Sequence, residues 1–229
     1  GGSSLATPKS ILTAARRVVR ERVEGRGIVV VVSAMGDTTN DLISLAHKIS
    51  PHPSLREMDM LLSAGERISM ALFSMAVQNL GWEAISFTGS QVGIVTNEEH
   101  TRAKIVEIKG DRLREELSKG KVVIVAGFQG VSREREVTTL GRGGSDTTAV
   151  ALASALGLRR CQIFTDVEGV YSADPRIIPE AKKIDRVSYD EMLELSSLGA
   201  KVIHPRAVEI AYREGIVLEL RSNFSEREG

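Results

Sequence analysis

Cysteine is almost missing from this chain. Cys161 is the single one among 229 residues, so no internal disulfide can form. Beside apolar Ile163 and Phe164 it is expected as a buried core thiol in a reducing compartment, which points to the cytoplasm. An excess of either charge is missing too: thirty Lys and Arg balance thirty Asp and Glu. That balance removes the global field that draws a protein to nucleic acid or to an anionic membrane, so neither is expected as a partner and any anion site must be local. The longest apolar run, around Ile28 to Val32, is too short to cross a bilayer, and no signal peptide is read at the start. The four histidines show neither His-Glu-x-x-His nor Cys/His ligand spacing, so no protein-held metal is expected. No Gly-Lys-Ser or Gly-Lys-Thr closes a P-loop.

What is present is ordinary in composition, 42% hydrophobic and 26% charged, and long enough for a sizeable core. Thr7-Pro8 is a good cap and first-turn pair for an amphipathic helix to about Glu24. The β-branched run Ile28 to Val32 does not alternate, which predicts a strand buried on both faces of a parallel sheet. Val122 to Ala126 reads the same way. Pro51-His52-Pro53 ends one helix, and Met58, Leu61, Leu62, Ile68, Leu72 and Phe73 stripe the next. Within that helix Gly65 costs roughly 1 kcal/mol relative to Ala, which is consistent with a close approach by another backbone or a ligand. Short strands are expected at Ala84 to Phe87 and Gly93 to Thr96, a solvated helix from Asp111 to Lys119, and a hairpin across Ser132 to Val137.

The chain is organised around Thr138-Thr139-Leu140-Gly141-Arg142-Gly143-Gly144-Ser145-Asp146-Thr147-Thr148-Ala149. Its glycines permit close ligand approach, and the apolar run from Val150 to Leu156 reads as a buried helix. A helix N-terminus with Ser145, Asp146 and Thr147 as candidate caps, reinforced by Arg142, is an anion site suited to phosphate or carboxylate. A plain surface turn before a capped helix is the competing reading. A dinucleotide fingerprint is imitated by Gly141-x-Gly143 and by the acid Asp166 ending the strand from Cys161. It fails because Asp146 replaces the third glycine and no strand runs straight into the loop. Ser33 and Thr39 follow the first strand at its carboxyl end, where ligands collect in open α/β sheets; capping of a helix from Asp41 by Thr39 or Asn40 is equally open on physics alone.

Three strings in the right order carry a resemblance: Val123-Ile124-Val125-Ala126-Gly127-Phe128-Gln129-Gly130, then Thr138 to Asp146, then Thr165-Asp166-Val167-Glu168-Gly169-Val170-Tyr171-Ser172-Ala173-Asp174-Pro175-Arg176. Over essentially its whole length the chain resembles the aspartate kinases of the amino-acid kinase superfamily. The resemblance implies an α/β fold with a mostly parallel central sheet between helices, in three layers. It also implies an amino-acid-binding lobe at residues 1–140, a nucleotide-binding lobe at 141–229, and phosphorylation of the L-aspartate side chain by ATP, with Mg²⁺ carried on the nucleotide. By the same resemblance Ser33, Thr39, Glu66, Arg142 and Ser145 contact aspartate, Glu66 through its ammonium. Gly1, Gly2 and Ser3 meet the phosphates, and Thr165, Asp166, Tyr171 and Arg176 wall the nucleotide. Lys201 meets the ATP phosphates, and Asp146 organises the substrate ammonium or a lysine. A Glu66 that simply pairs at the surface is the bland alternative. The family pattern places a lysine and an aromatic residue immediately before Gly1 and regulatory modules after the catalytic domain. This sequence shows neither, so it reads as a fragment whose activity depends on restoring a short strand ending in Lys-Phe or Lys-Tyr. A homo-oligomer, or a hetero-oligomer with a regulatory subunit, is expected. A kinase of an N-acetylated amino acid and a non-catalytic nucleotide-binding fragment remain alternatives. Glu66 speaks against the first, because an acylated nitrogen offers it no cation.

Overall fold

The computed structural model describes residues 2–23, 25–174, 177–197 and 202–223. In chain order the elements are α1 (Pro8–Val23), β1 (Val29–Val32), α2 (Thr38–Ile49), α3 (Leu55–Asn79), β2 (Ala84–Phe87), β3 (Ile94–Thr96), β4 (Ile105–Ile108), α4 (Asp111–Ser118) and β5 (Val122–Ala126). After them come β6 (Gln129–Ser132), β7 (Val137–Thr139), α5 (Gly144–Ala155), β8 (Arg160–Thr165), β9 (Val170–Tyr171), β10 (Lys183–Ile184), α6 (Tyr189–Ser197), α7 (Pro205–Glu214) and β11 (Val217–Ser222). A 3₁₀ turn over Gly2–Leu5 precedes α1, whose start is tied down because Ser10 N–H bonds the Thr7 hydroxyl at 3.2 Å.

β5 is the centre. All five of its residues are buried, and it pairs in parallel with β1 on one side and β2 on the other. The continuous apolar run Val122 to Ala126 is what a strand covered on both faces requires. One face carries α1 and α3 through Ile11, Ala15, Phe73 and Val77. The opposite face carries α4 and α5 through Leu113 and Leu152. The result is an α/β architecture with a parallel sheet between helical layers. A second parallel pair, β8 with β11, packs beneath α5, α6 and α7 around Ile163, Met192, Val208 and Ile216. α5 therefore joins both halves of the molecule.

β2 and β3 do not form one ribbon. β3 belongs to a four-stranded sheet ordered β4-β3-β6-β7, separate from the sheet that holds β2. The expected hairpin is β6 to β7, closed by Ser132 N–H to Glu136 O at 2.8 Å. β4 and the β9–β10 ribbon escape sequence reading because they are short and their burial does not alternate cleanly.

β1 is covered on both faces, by Val30 and Val32 on one and Val29 and Val31 on the other, but it is less buried than β5. Val29, Val30 and Val31 are only half-buried, because one edge of β1 and one edge of β8 border a cavity of about 410 Å³ instead of each other. Among the described residues neither strand has a second partner. Cys161 is half-buried: it packs against the core around Ile163 and Val208 and also lines this cavity. Burial, and secondarily the charge of Asp146, push its thiol up to about 12, which makes it a poor nucleophile.

The longest helix, α3, is long and apolar enough by length and composition to cross a membrane. Its place in the fold is packed instead: Asp59, Ser63, Glu66 and Ser69 are buried along it with Phe73 and Val77. Gly65 is needed there because a Cβ would lie 2.8 Å from the Ala34 Cβ, in the loop after β1. The close approach foreseen for that glycine is thus by another backbone segment.

Candidate active site

A cavity of about 540 Å³ opens where β1 and β5 end. The carboxyl ends of parallel strands are where loops diverge and leave room for a ligand. Ser33 follows β1, Thr39 sits in the first turn of α2, and Gly141 to Asp146 close the opposite wall; Met58, Leu62 and Phe128 supply its apolar lining. α2 begins at Thr38, with no side-chain cap from Asp37. A Thr39 or Asn40 cap on a helix from Asp41 is therefore not what forms. Thr39 is in the helix and faces the cavity.

The glycine loop is shaped by left-handed backbone at Gly141 (φ 75°) and Gly143 (φ 67°), a conformation that L side chains rarely adopt. Gly143 also has no room for a Cβ, which would overlap the side chain of His204. Gly143 is the N-cap of α5, and no side chain caps that helix. Ser145, Asp146 and Thr147 are thus not caps. The Thr147 hydroxyl instead donates to Gly143 O at 2.9 Å. An uncapped helix N-terminus at a cavity wall leaves N–H groups and the positive end of the helix dipole for an anion. Arg142 is exposed at the same wall, and among the described residues its guanidinium has no bonded partner.

Two carboxyls complicate this positive site. Asp146 borders both the 540 Å³ and the 410 Å³ cavities. Burial pushes its carboxyl up, while the backbone and ring of His204 pull the other way. Glu66 is 3% exposed. Its Oε1 accepts from Ala34 N–H at 3.0 Å, and its Oε2 has no partner among the described residues. Burial pushes this carboxyl up to about 7, against the opposing pull of its backbone hydrogen bonds. Glu66 is therefore not a surface ion-pair residue. It is absent from the cavity lining and stands behind Ser33, on the amide next along the chain.

The structure thus brings Ser33, Thr39, Arg142, Ser145 and Asp146 around one cavity, with Glu66 behind it. Gly2 and Ser3 lie at the neighbouring turn, where Gly36 N–H donates to Gly2 O at 3.0 Å. Thr165 and Asp166 end β8, bonded hydroxyl to carboxylate at 3.0 Å, and Tyr171 is in β9. None of these last five lines either cavity. Gly1, Arg176 and Lys201 lie outside the described residues. Among the described residues no three His, Cys, Asp or Glu side chains gather to hold a metal. Sequence reading missed Met58, Leu62, Thr101, Phe128 and Thr139 as lining. Thr101 (φ 66°) and Phe128 (φ 68°) take left-handed backbone that nothing in their residue types announces.

Comparison with known proteins agrees with this geometry. The sequence model of the amino acid kinase family matches residues 1–222. An aspartokinase of Mycolicibacterium smegmatis is 54% identical over 230 residues, an alignment that takes in 100% of this chain and 55% of that protein. The chain therefore spans about half the length of such curated relatives. Among solved structures, aspartate kinase from Synechocystis superposes with a TM-score of 0.89 at 53% identity, covering 100% of this chain and 38% of the other. E. coli aspartokinase III, solved in complex with aspartate and ADP, gives a TM-score of 0.89 at 30% identity, covering 99% of this chain and 61% of the other. With the parallel sheet, the cavity at its carboxyl edge and the glycine loop at an uncapped helix, these matches show that the chain belongs to the amino acid kinase family.

Proposed function

We propose that this chain is the catalytic part of an aspartate kinase, which transfers the terminal phosphoryl group of ATP to the side-chain carboxylate of L-aspartate. The products are ADP and 4-phospho-L-aspartate, and the reaction opens the route to lysine, threonine and methionine. The observation that carries this reading is one cavity walled by an uncapped helix N-terminus and the Arg142 guanidinium, with the buried Glu66 carboxyl behind it; among the described residues Arg142 and Glu66 Oε2 have no bonded partner. A dicarboxylic amino acid presents the matching charges, anionic at its carboxylates and cationic at its ammonium.

The chemistry needs no general base. A carboxylate with a reference pKa of about 3.9 is already an ionised nucleophile at neutral pH. What opposes reaction is repulsion between a polyanionic nucleotide and an anionic acceptor. Catalysis therefore rests on positioning and on cations and N–H donors aimed at the charge shared between donor and acceptor oxygens. Mg²⁺ travels on the nucleotide phosphates in this reading. In it Arg142, the α5 amides and Ser145 hold the acceptor carboxylates, and Ser33 and Thr39 supply hydroxyls. Glu66 answers the ammonium, and Asp146 organises the cations where the two substrates meet. Residues 1–140 form the amino-acid lobe. Residues 141–229 form the nucleotide lobe, with Thr165, Asp166, Tyr171, Arg176 and Lys201 toward ATP and Gly1, Gly2 and Ser3 closing over its phosphates. The protein works in the cytoplasm as a homo-oligomer or beside a regulatory subunit.

A kinase of N-acetylated amino acids is disfavoured by Glu66, since an acylated nitrogen leaves its orphaned oxygen without a cation. ADP release measured across aspartate, glutamate and N-acetylglutamate tests the proposal. It predicts aspartate-dependent release, and preference for the acetylated substrate would overturn it.

A further inference from the structure

The glycine loop does not stand alone. Its entry, Thr139-Leu140-Gly141, runs beside His100 to Ala103, with Ala103 N–H donating to Thr139 O at 2.9 Å. One side chain from each half of the molecule grips this pair of segments, Asp59 buried and Arg206 half-buried. From α3, Asp59 is fully buried (0% exposed). Its Oδ1 accepts from the Thr139 hydroxyl at 2.5 Å and from Thr101 N–H at 3.0 Å. Its Oδ2 meets Thr101 N–H at 3.1 Å and His100 Nδ1 at 2.6 Å. From the first turn of α7, the Arg206 guanidinium donates to Leu140 O at 2.6 Å and to Ala103 O at 2.9 Å. His204, just ahead, accepts the Arg206 N–H at 3.3 Å and fills the space that a side chain at Gly143 would need.

We propose that Asp59 and Arg206 are positioning residues that clamp the entry of the glycine loop from opposite sides and so aim Arg142 into the cavity. The inference rests on the functional reading above for what Arg142 binds, although the clamp itself is a statement about the loop. Arg142 sits between two left-handed glycines, which by themselves leave the loop conformationally loose. A planar guanidinium bonded to two carbonyls fixes their relative orientation, where an ammonium would reach them as a point charge. Asp59, removed from water, stays buried at acceptable cost because hydroxyl, amide and imidazole donors satisfy it. Because Arg206 extends from α7 and Asp59 from α3, the loop registers how the two halves sit against each other.

The test combines amide exchange with binding. Arg206→Lys is expected to raise exchange across residues 139–143 with little change in β5, and to weaken aspartate about tenfold by calorimetry while ATP affinity stays within about twofold. In an Arg142→Lys background the same change should cost less than about twofold more, because a residue acting through Arg142 has nothing left to position. Asp59→Asn, which keeps shape and one acceptor, should show the same pattern more weakly and serves if Arg206→Lys folds poorly. Unchanged exchange at 139–143, or full multiplicative losses in the Arg142→Lys background, would overturn the clamp. Raised exchange in a chain that binds no aspartate at all would keep the clamp and sink the substrate assignment instead.

Discussion

At the scale of single residues the chemistry of the cavity turns on Arg142, Glu66 and Asp146. Arg142→Lys exchanges a bidentate fork for a point charge and should cost aspartate use on the order of 1–3 kcal/mol, with ATP binding spared. Steady-state kinetics in each substrate check this, and unchanged aspartate kinetics would remove Arg142 from the site. Glu66 carries a pH signature. Its carboxyl is held at about 7 by burial, whereas an unfolded glutamate titrates near 4.3. Between those values the folded chain holds a proton that the unfolded chain has released, so this group lowers stability as pH rises from about 4.3 to about 7 and adds no slope outside that window. An arriving ammonium favours the ionised form. Aspartate binding near pH 6.5 should therefore expel a proton, visible as a dependence of calorimetric enthalpy on the buffer, and Glu66→Gln should abolish it. Buffer-independent enthalpies would confine Glu66 to holding Ala34 N–H. Asp146→Asn should fold and bind ATP but turn over poorly, as calorimetry and ADP release would show. Loss of folding and ATP binding together would make Asp146 a structural residue.

At the scale of elements, legibility follows the range of the forces. β5 could be read directly because Val122 to Ala126 is apolar at every position and buried at every position. The glycine loop could be read because consecutive small residues leave few alternatives. The half-burial of β1 could not, since it depends on what lies at its edge and not on Val29 to Val32. Asp59 and Arg206 were invisible for a related reason: their partners are 42, 80, 66 and 103 residues away, and an acid or base on a helix otherwise reads as surface. The edges of β1 and β8 that have no partner among the described residues make a prediction of their own. Both strands border a common cavity that α1 and α5 also line, and exposed edges seek a partner. A short β-branched segment placed ahead of Gly1 should enter as a parallel strand between them. It should raise the melting temperature by several degrees, at roughly 2–4 °C per kcal/mol for a chain of this size, and shield Cys161 from alkylation. An unchanged melt and unchanged labelling would mean the cavity is not a strand slot. Ending that segment in Lys-Phe should raise turnover further if a cation is needed beside the transferring phosphoryl group.

At the scale of the whole molecule, α5 is the member on which both halves converge. Its N-terminus forms the cavity wall, and its body packs on the sheet of β1, β5 and β2 through Leu152 and on the β8 side through Val150 and Ala153. Binding at one end of this helix is thereby connected to the packing of both halves. The claim that the cavity serves carboxyl phosphorylation has a direct chemical readout, because an acyl phosphate is trapped by hydroxylamine as a hydroxamate whereas a phosphate ester is not. The decisive measurement is hydroxamate formation by the chain, with and without the added strand, in the presence of ATP, Mg²⁺ and either aspartate or N-acetylglutamate. The account predicts aspartate hydroxamate formed in step with ADP and reduced together with it in Arg142→Lys. ADP release without hydroxamate, or hydroxamate from the acetylated acceptor alone, would contradict it.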